Sequence, residues 1–146
     1  MTLNALTAAD SVLIPLQAEY YAMEGLSELL RTISVVRRRL NPDLHREGVV
    51  ITMTDHRNNL CKDVEAETRE ILGDEVFTTV IPRNVRLGEA PSYGIPIVEY
   101  DRRSKGSRAY YGLADELLKR NGMIDFPIFC QFFKFLQRDK DGFQFL

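Results

Sequence analysis

GVVITMTDHRNNLCKDVEAETREILGDEVFTTVI, residues 48–81, reads as strand, helix and strand in direct succession. GVVITM (48–53) is a continuous apolar run of strand length, the pattern of a strand covered on both faces. Over 59–72, Leu60, Val64, Ile71 and Leu72 gather on one helical face, and Gly73 stands where a helix can end in a left-handed turn. EVFTTVI (75–81) is β-branched and aromatic, which predicts a third strand. Strand–helix–strand units of this kind build parallel sheets with right-handed crossovers.

The same alternation continues in both directions. Residues 2–9 (TLNALTAA) read as the end of a helix broken at Asp10 and Ser11, and SVLIPL (11–16) as a further buried strand. Leu26, Leu29, Leu30, Ile33, Val36 and Leu40 recur at spacings of three and four, so 21–40 is an amphipathic helix stopped by Asn41-Pro42. IPIVEY (95–100) is a candidate fourth, shorter strand. Ala109, Tyr110, Leu113, Ala114, Leu117 and Leu118 mark a last helix ending near Asn121-Gly122. Three or four strands are few for a sheet with helices on both faces, so the chain reads as the second half of something.

Composition sets limits on function. The 146 residues are 45% hydrophobic and 27% charged with a net charge of −2, so any DNA contact must come from a local basic patch. Two cysteines (Cys61, Cys130) and two histidines (His45, His56) give neither a zinc framework nor a disulfide scaffold. A reducing cytoplasm is the expected setting. No amino-terminal stretch reads as a signal peptide, and no apolar run is long enough to span a bilayer.

Chemistry concentrates in IPRNVRLGEAPSYGIPIVEYDRRSKGSRAY, residues 81–110. An apolar run ends at Pro82, and Arg83, Asn84 and Arg86 follow at once. Pro91, Gly94 and Pro96 are expected to hold the next segment out of helix or central strand. A polar loop leaving the carboxyl end of a strand is where α/β proteins build binding sites. Arg102, Arg103, Lys105 and Arg108 add a second basic cluster before the last helix.

Three stretches in order, TLNALTAADSVLIPLQAEYYAMEGL (2–26), GVVITMTDHRNNL (48–60) and 81–110, resemble the ParA/Soj-type chromosome and plasmid partition ATPases, relatives of MinD. The resemblance runs from residue 2 to about 121. It implies an α/β fold: the carboxyl-terminal part of a P-loop, Rossmann-like three-layer sheet with helices on both faces, its amino-terminal P-loop half absent. It implies ATP and Mg²⁺ as the intact family's cofactors, dimerisation on ATP, non-specific DNA binding, and release when a ParB-type centromere-binding partner stimulates hydrolysis. No glycine in the chain is followed by lysine, so no KGGVGKT-like phosphate loop occurs within it. The chain is therefore expected to begin just after the family's Walker B segment, to hold nucleotide weakly, and not to hydrolyse ATP.

By motif, the resemblance carries the adenine side onto Thr52, Met53, Pro82, Arg83 and Asn84. It carries DNA contact onto Arg57 and Arg86, with Arg102, Arg103 and Lys105 as the second cluster. Gln17, Glu19 and Tyr20 fall where the family approaches nucleotide and the dimer face. The bland alternatives are that Met53 and Pro82 merely close the sheet edge, and that the arginines pair with acids such as Glu89, Glu99 and Asp101. Arg37, Arg38 and Arg39 read as a solvated helix end, the histidines as non-ligands, and Cys61 as packed rather than reactive. The implied partners are DNA, a ParB-type protein, and a second copy or a homologue supplying the missing half. The implied location is the bacterial cytoplasm, at the nucleoid.

Residues 1–122 form the expected family domain, and 123–146 a Phe-rich tail outside it, with seven of the chain's eight phenylalanines. The tail has three readings: a membrane-surface helix, a segment docking on the domain or a partner, or an appended terminus. Its apolar residues occupy nearly all sides and Pro127 interrupts it, which argues against the membrane. Two other functions compete with partitioning: MinD-like positioning at a membrane, and a non-catalytic interaction module.

Overall fold

A computed structural model describes residues 2–122; the tail expectations lie outside the described residues. Three strands form one parallel sheet in the order β1 (Ser11–Gln17), β2 (His45–Thr54), β3 (Ile81–Pro82). Helix α1 (Thr2–Ala8) precedes β1, α2 (Ala22–Arg39) joins β1 to β2, and α3 (Asn59–Leu72) leads from β2 towards β3. After β3 come two short helices, α4 (Val85–Glu89) and α5 (Ile97–Tyr100), then α6 (Lys105–Arg120).

The core follows from strand alternation. Ile14 and Leu16 of β1 lie opposite Val49 and Ile51 of β2, and all four are buried on the face covered by α2 and α3. Leu26, Ile33 and Val36 of α2, with Cys61 and Val64 of α3, complete that layer. Val50 points the other way and packs with Phe77, Ile81 and Leu113 of α6. Phe77 is fully buried, and a side chain of that size contributes about 2–3 kcal/mol on burial.

Along β1 the second face is less well covered. Pro15, opposite Val50, is exposed. The Ala18 amide donates to Thr52 O at 3.1 Å and Leu16 O accepts from the Thr52 hydroxyl, so these residues turn their backbone towards β2. Pro15 and Gln17, one step out of phase, turn theirs away from β2, to an edge that no described strand covers. A proline is tolerated there because no ladder donor is needed.

Two expected strands are corrected. Over 75–81 only Ile81–Pro82 is strand, with Val76 making an isolated bridge to Val49. Side chains take the backbone groups a ladder would use. The Thr78 and Thr79 amides donate to the Glu116 carboxylate at 2.7 and 2.8 Å, Arg69 donates to Phe77 O, and Arg120 to Val76 O. IPIVEY is not a strand either: Pro96 O accepts from both the Glu99 and Tyr100 amides, and Ile97–Tyr100 is a helical turn with Ile97 buried. The segment holding Pro91, Gly94 and Pro96 likewise contains short helical turns, ended at Gly94 with φ +67°. The last helix begins at Lys105, earlier than its apolar repeat suggests, because the Ser104 hydroxyl caps it by accepting from the Ser107 amide.

Two glycines allow close approaches that position the site. At Gly48 (φ +132°) a Cβ would overlap the Glu75 carbonyl oxygen. At Gly106 a Cβ would meet Leu87 Cγ at 2.7 Å, so only glycine lets α4 seat on the first turn of α6 without displacing that side chain.

Candidate functional site

Because the three strands are parallel, the segments after β1, β2 and β3 all leave from one rim, the end of an open α/β sheet where ligands bind. The Arg83 amide donates to Thr54 O at 3.0 Å, tying the third exit to the second. Between them opens a cleft of about 190 Å³. Met53 and Leu60 supply apolar surface, Cys61 lies at its base, and Glu19, Asp55, Asn58 and Arg83 supply polar groups. Apolar walls with a few converging polar groups suit a flat heterocycle.

Of the residues expected on the adenine side, Met53 and Arg83 line this cleft. Thr52 and Pro82 stand behind it in the strands, and Asn84 caps α4 by accepting from the Arg86 amide at 2.9 Å. Met53 has φ +57°, at the register shift between Thr52 and Thr54. A left-handed conformation at a non-glycine residue is strain of the kind that collects at binding sites. Glu19 reaches the cleft, whereas Gln17 and Tyr20 line a second, larger groove of about 480 Å³ along β1 and α2, which Glu19 also borders. Cys61 is buried, its thiol donating to Ala18 O at 3.3 Å.

The expected DNA residues divide into paired and free cations. Arg57 lies in the turn after β2, and its Nε and Nη2 donate to the two oxygens of Asp55 at 3.1 Å each. The Asp55 carboxylate also accepts from the Arg57 amide. The Arg57 guanidinium, then its amide, with Arg83 adding charge, hold the Asp55 carboxyl at about 2. Arg86 lies inside α4 rather than in a loop, with Nη1 donating to Glu89 at 2.9 Å and Nε 3.7 Å from Asp101. Glu89 also accepts from the Tyr100 hydroxyl, which burial first and Glu89 second push above its usual range; Tyr93 stacks on the Tyr100 ring.

Asp101 joins the two basic clusters. Its carboxylate accepts from the Arg103 and Ser104 amides while facing Arg86. Arg102 donates to Val98 O. Arg83, Arg103, Lys105 and Arg108 form no ion pair with any described residue. Glu89 and Asp101 thus do pair with a predicted arginine, Arg86, and Glu99 does not. Asp55 went unread, although an aspartate two residues before an arginine is the signature of a side-chain-closed turn.

The AAA domain family matches residues 1–46. The "Chromosome partitioning protein ParA" of Myxococcus xanthus is 55% identical over 121 residues, covering 83% of this chain and 43% of that protein. The "Sporulation initiation inhibitor protein Soj" of Bacillus subtilis is 56% identical over 117 residues, 80% of this chain and 46% of that one. The cobyrinic acid a,c-diamide synthase of Mycobacterium smegmatis, solved with a bound ATP analogue and magnesium, superposes with a TM-score of 0.64 at 37% identity, over 81% of this chain and 42% of that one. The chain spans less than half the length of the curated relatives it matches.

A parallel sheet of this order, with helices on both faces and its cleft at the carboxyl rim, is part of a P-loop ATPase fold. Within that class the chain belongs to the ParA/Soj family of chromosome-partitioning proteins. No group of three or more His, Cys, Asp or Glu among the described residues could hold a metal ion. No helix among them is long and apolar enough to cross a membrane.

Proposed function

We propose that this chain is the base-recognising and DNA-facing portion of a chromosome-partitioning ATPase. The whole machine dimerises on ATP, holds DNA without regard to sequence, and lets go when a ParB-type partner stimulates hydrolysis. Within this portion, Met53 and Arg83 receive the adenine edge, with Thr52, Pro82 and Asn84 setting their positions. Arg57 and Arg86 reach phosphate oxygens, supported by Arg102, Arg103 and Lys105. Gln17, Glu19 and Tyr20 face the nucleotide or a dimer partner.

One observation carries this reading: the cleft and both arginine-bearing segments leave the same rim of the sheet, so base and polynucleotide are met from one side. Guanidinium groups suit phosphate because their planar forks donate two hydrogen bonds at once. Such contacts are indifferent to sequence and sensitive to salt. The test is duplex-DNA retention at low salt by the unaltered chain and by Arg57→Ala/Arg86→Ala. We expect the double variant to bind more weakly and its log–log salt slope to fall by about two. Unchanged retention would remove the assignment.

A further inference from the structure

We propose that Asp55 is the internal counter-ion of Arg57, docking its guanidinium in the free protein and competing with DNA phosphate for it. This rests on the DNA-facing reading above. The Arg57 side chain is 91% exposed, yet two of its nitrogens are committed to Asp55 in a fork-to-fork pair. Asp55 is the fixed member. It directly follows β2, its carboxylate accepts from the Arg57 amide at 3.0 Å, and its carbonyl accepts from the Asn58 amide at 2.9 Å. The arginine therefore swings while the carboxylate stays.

A bidentate carboxylate occupies the same donor fork that a phosphate would use. Phosphate binding by Arg57 is then an exchange of one anion for another, and the net gain is reduced by the pair that is lost. Arg103 and Lys105 carry no such cost. Arg86 does, but its partners are shared: Glu89 also serves Tyr100, and Asp101 also serves the Arg103 and Ser104 amides. Among the described residues the Asp55 carboxylate accepts hydrogen bonds from Arg57 alone, with Arg83 adding only charge at longer range, so its charge can be removed with least disturbance.

Asp55→Asn is the informative change, because the amide oxygen can still accept from the Arg57 N–H and keep the turn closed, while the ionic partner is lost. Binding of a short fluorescent duplex is measured against salt for the unaltered chain, Asp55→Asn, Arg57→Ala and the double variant. Asp115→Asn, whose carboxylate pairs with Lys119, carries the same change in net charge and serves as control. We expect Asp55→Asn to bind about two- to five-fold more tightly at low salt, with a slope steeper by up to about one. Asp115→Asn should show no comparable gain, and the double variant should match Arg57→Ala. A gain that survives in the double variant, or no gain while Arg57→Ala weakens binding, overturns the counter-ion role alone. An Arg57→Ala chain that binds as well as the unaltered one overturns the DNA-facing reading and this proposal with it. Should Asp55→Asn melt earlier, Asp55→Ser, which also closes such turns, is read in its place.

Discussion

Met53 stands at the mouth of the cleft with a backbone that an L-residue adopts at a cost of about 1–2 kcal/mol. The residue is 37% exposed and stands outside the buried core clusters. Met53→Gly should therefore hold or raise the unfolding free energy measured by urea titration, by up to about 1 kcal/mol after the flexibility glycine adds to the unfolded chain. The same change should weaken adenosine binding in the cleft, measured by calorimetry. A stability loss of about 2 kcal/mol would show that the thioether packs more than it presents. At this scale the sequence was partly legible. Arg57 and Arg86 could be picked out as guanidiniums near strand ends, and Cys61 as packed. Glu89 and Asp101 could be named as acids for the arginines to pair with, and both meet Arg86, whereas Asp55, the partner of Arg57, could not be told from an ordinary turn aspartate.

At the scale of elements, local period decided what could be read. Helix 59–72 and strand 11–16 were plain because each carries its whole signal within itself: a 3.6-residue stripe capped by Asn58 and Gly73, and an apolar run. The segment 75–81 has strand-forming residues but meets Glu116, nearly forty positions later, which draws off two of its amides. Burial alone would push the Glu116 carboxyl up, but the Thr78 and Thr79 amides, the Thr79 hydroxyl and Arg120 together bring it below its ordinary 4.5. A depressed folded value means the charged form stabilises the fold. The advantage of the unaltered chain over Glu116→Gln should then be present above pH 4.5 and vanish as pH falls further. Urea titrations at a series of pH values would measure it, and about 1 kcal/mol is expected near neutrality. A difference that does not change between pH 7 and pH 3 would place the contribution in shape rather than charge.

For the molecule as a whole, the fold class was legible because alternating strands and helices leave few topologies, and the resemblance supplied the family. The site was legible only as a neighbourhood: the strand ends converge as expected, while Arg57 pairs locally with Asp55 and Arg86 pairs locally with Glu89 and, across a longer stretch, with Asp101. The chain holds no glycine followed by lysine, so no phosphate loop of the familiar kind lies within these 146 residues. Incubation of the pure chain with Mg-ATP should release no phosphate above buffer. Measurable turnover would mean that catalytic groups of another kind are present.

Pro15 has a consequence for assembly. It occupies the middle of β1, outermost among the described strands, with its imide nitrogen turned away from β2. Any polypeptide zipping onto that border must leave one rung unbonded there, while Leu13 and Gln17 on either side still offer amides. Accretion of anonymous strands is thereby discouraged, and a tailored segment that tolerates the missing rung keeps an advantage over sticky competitors.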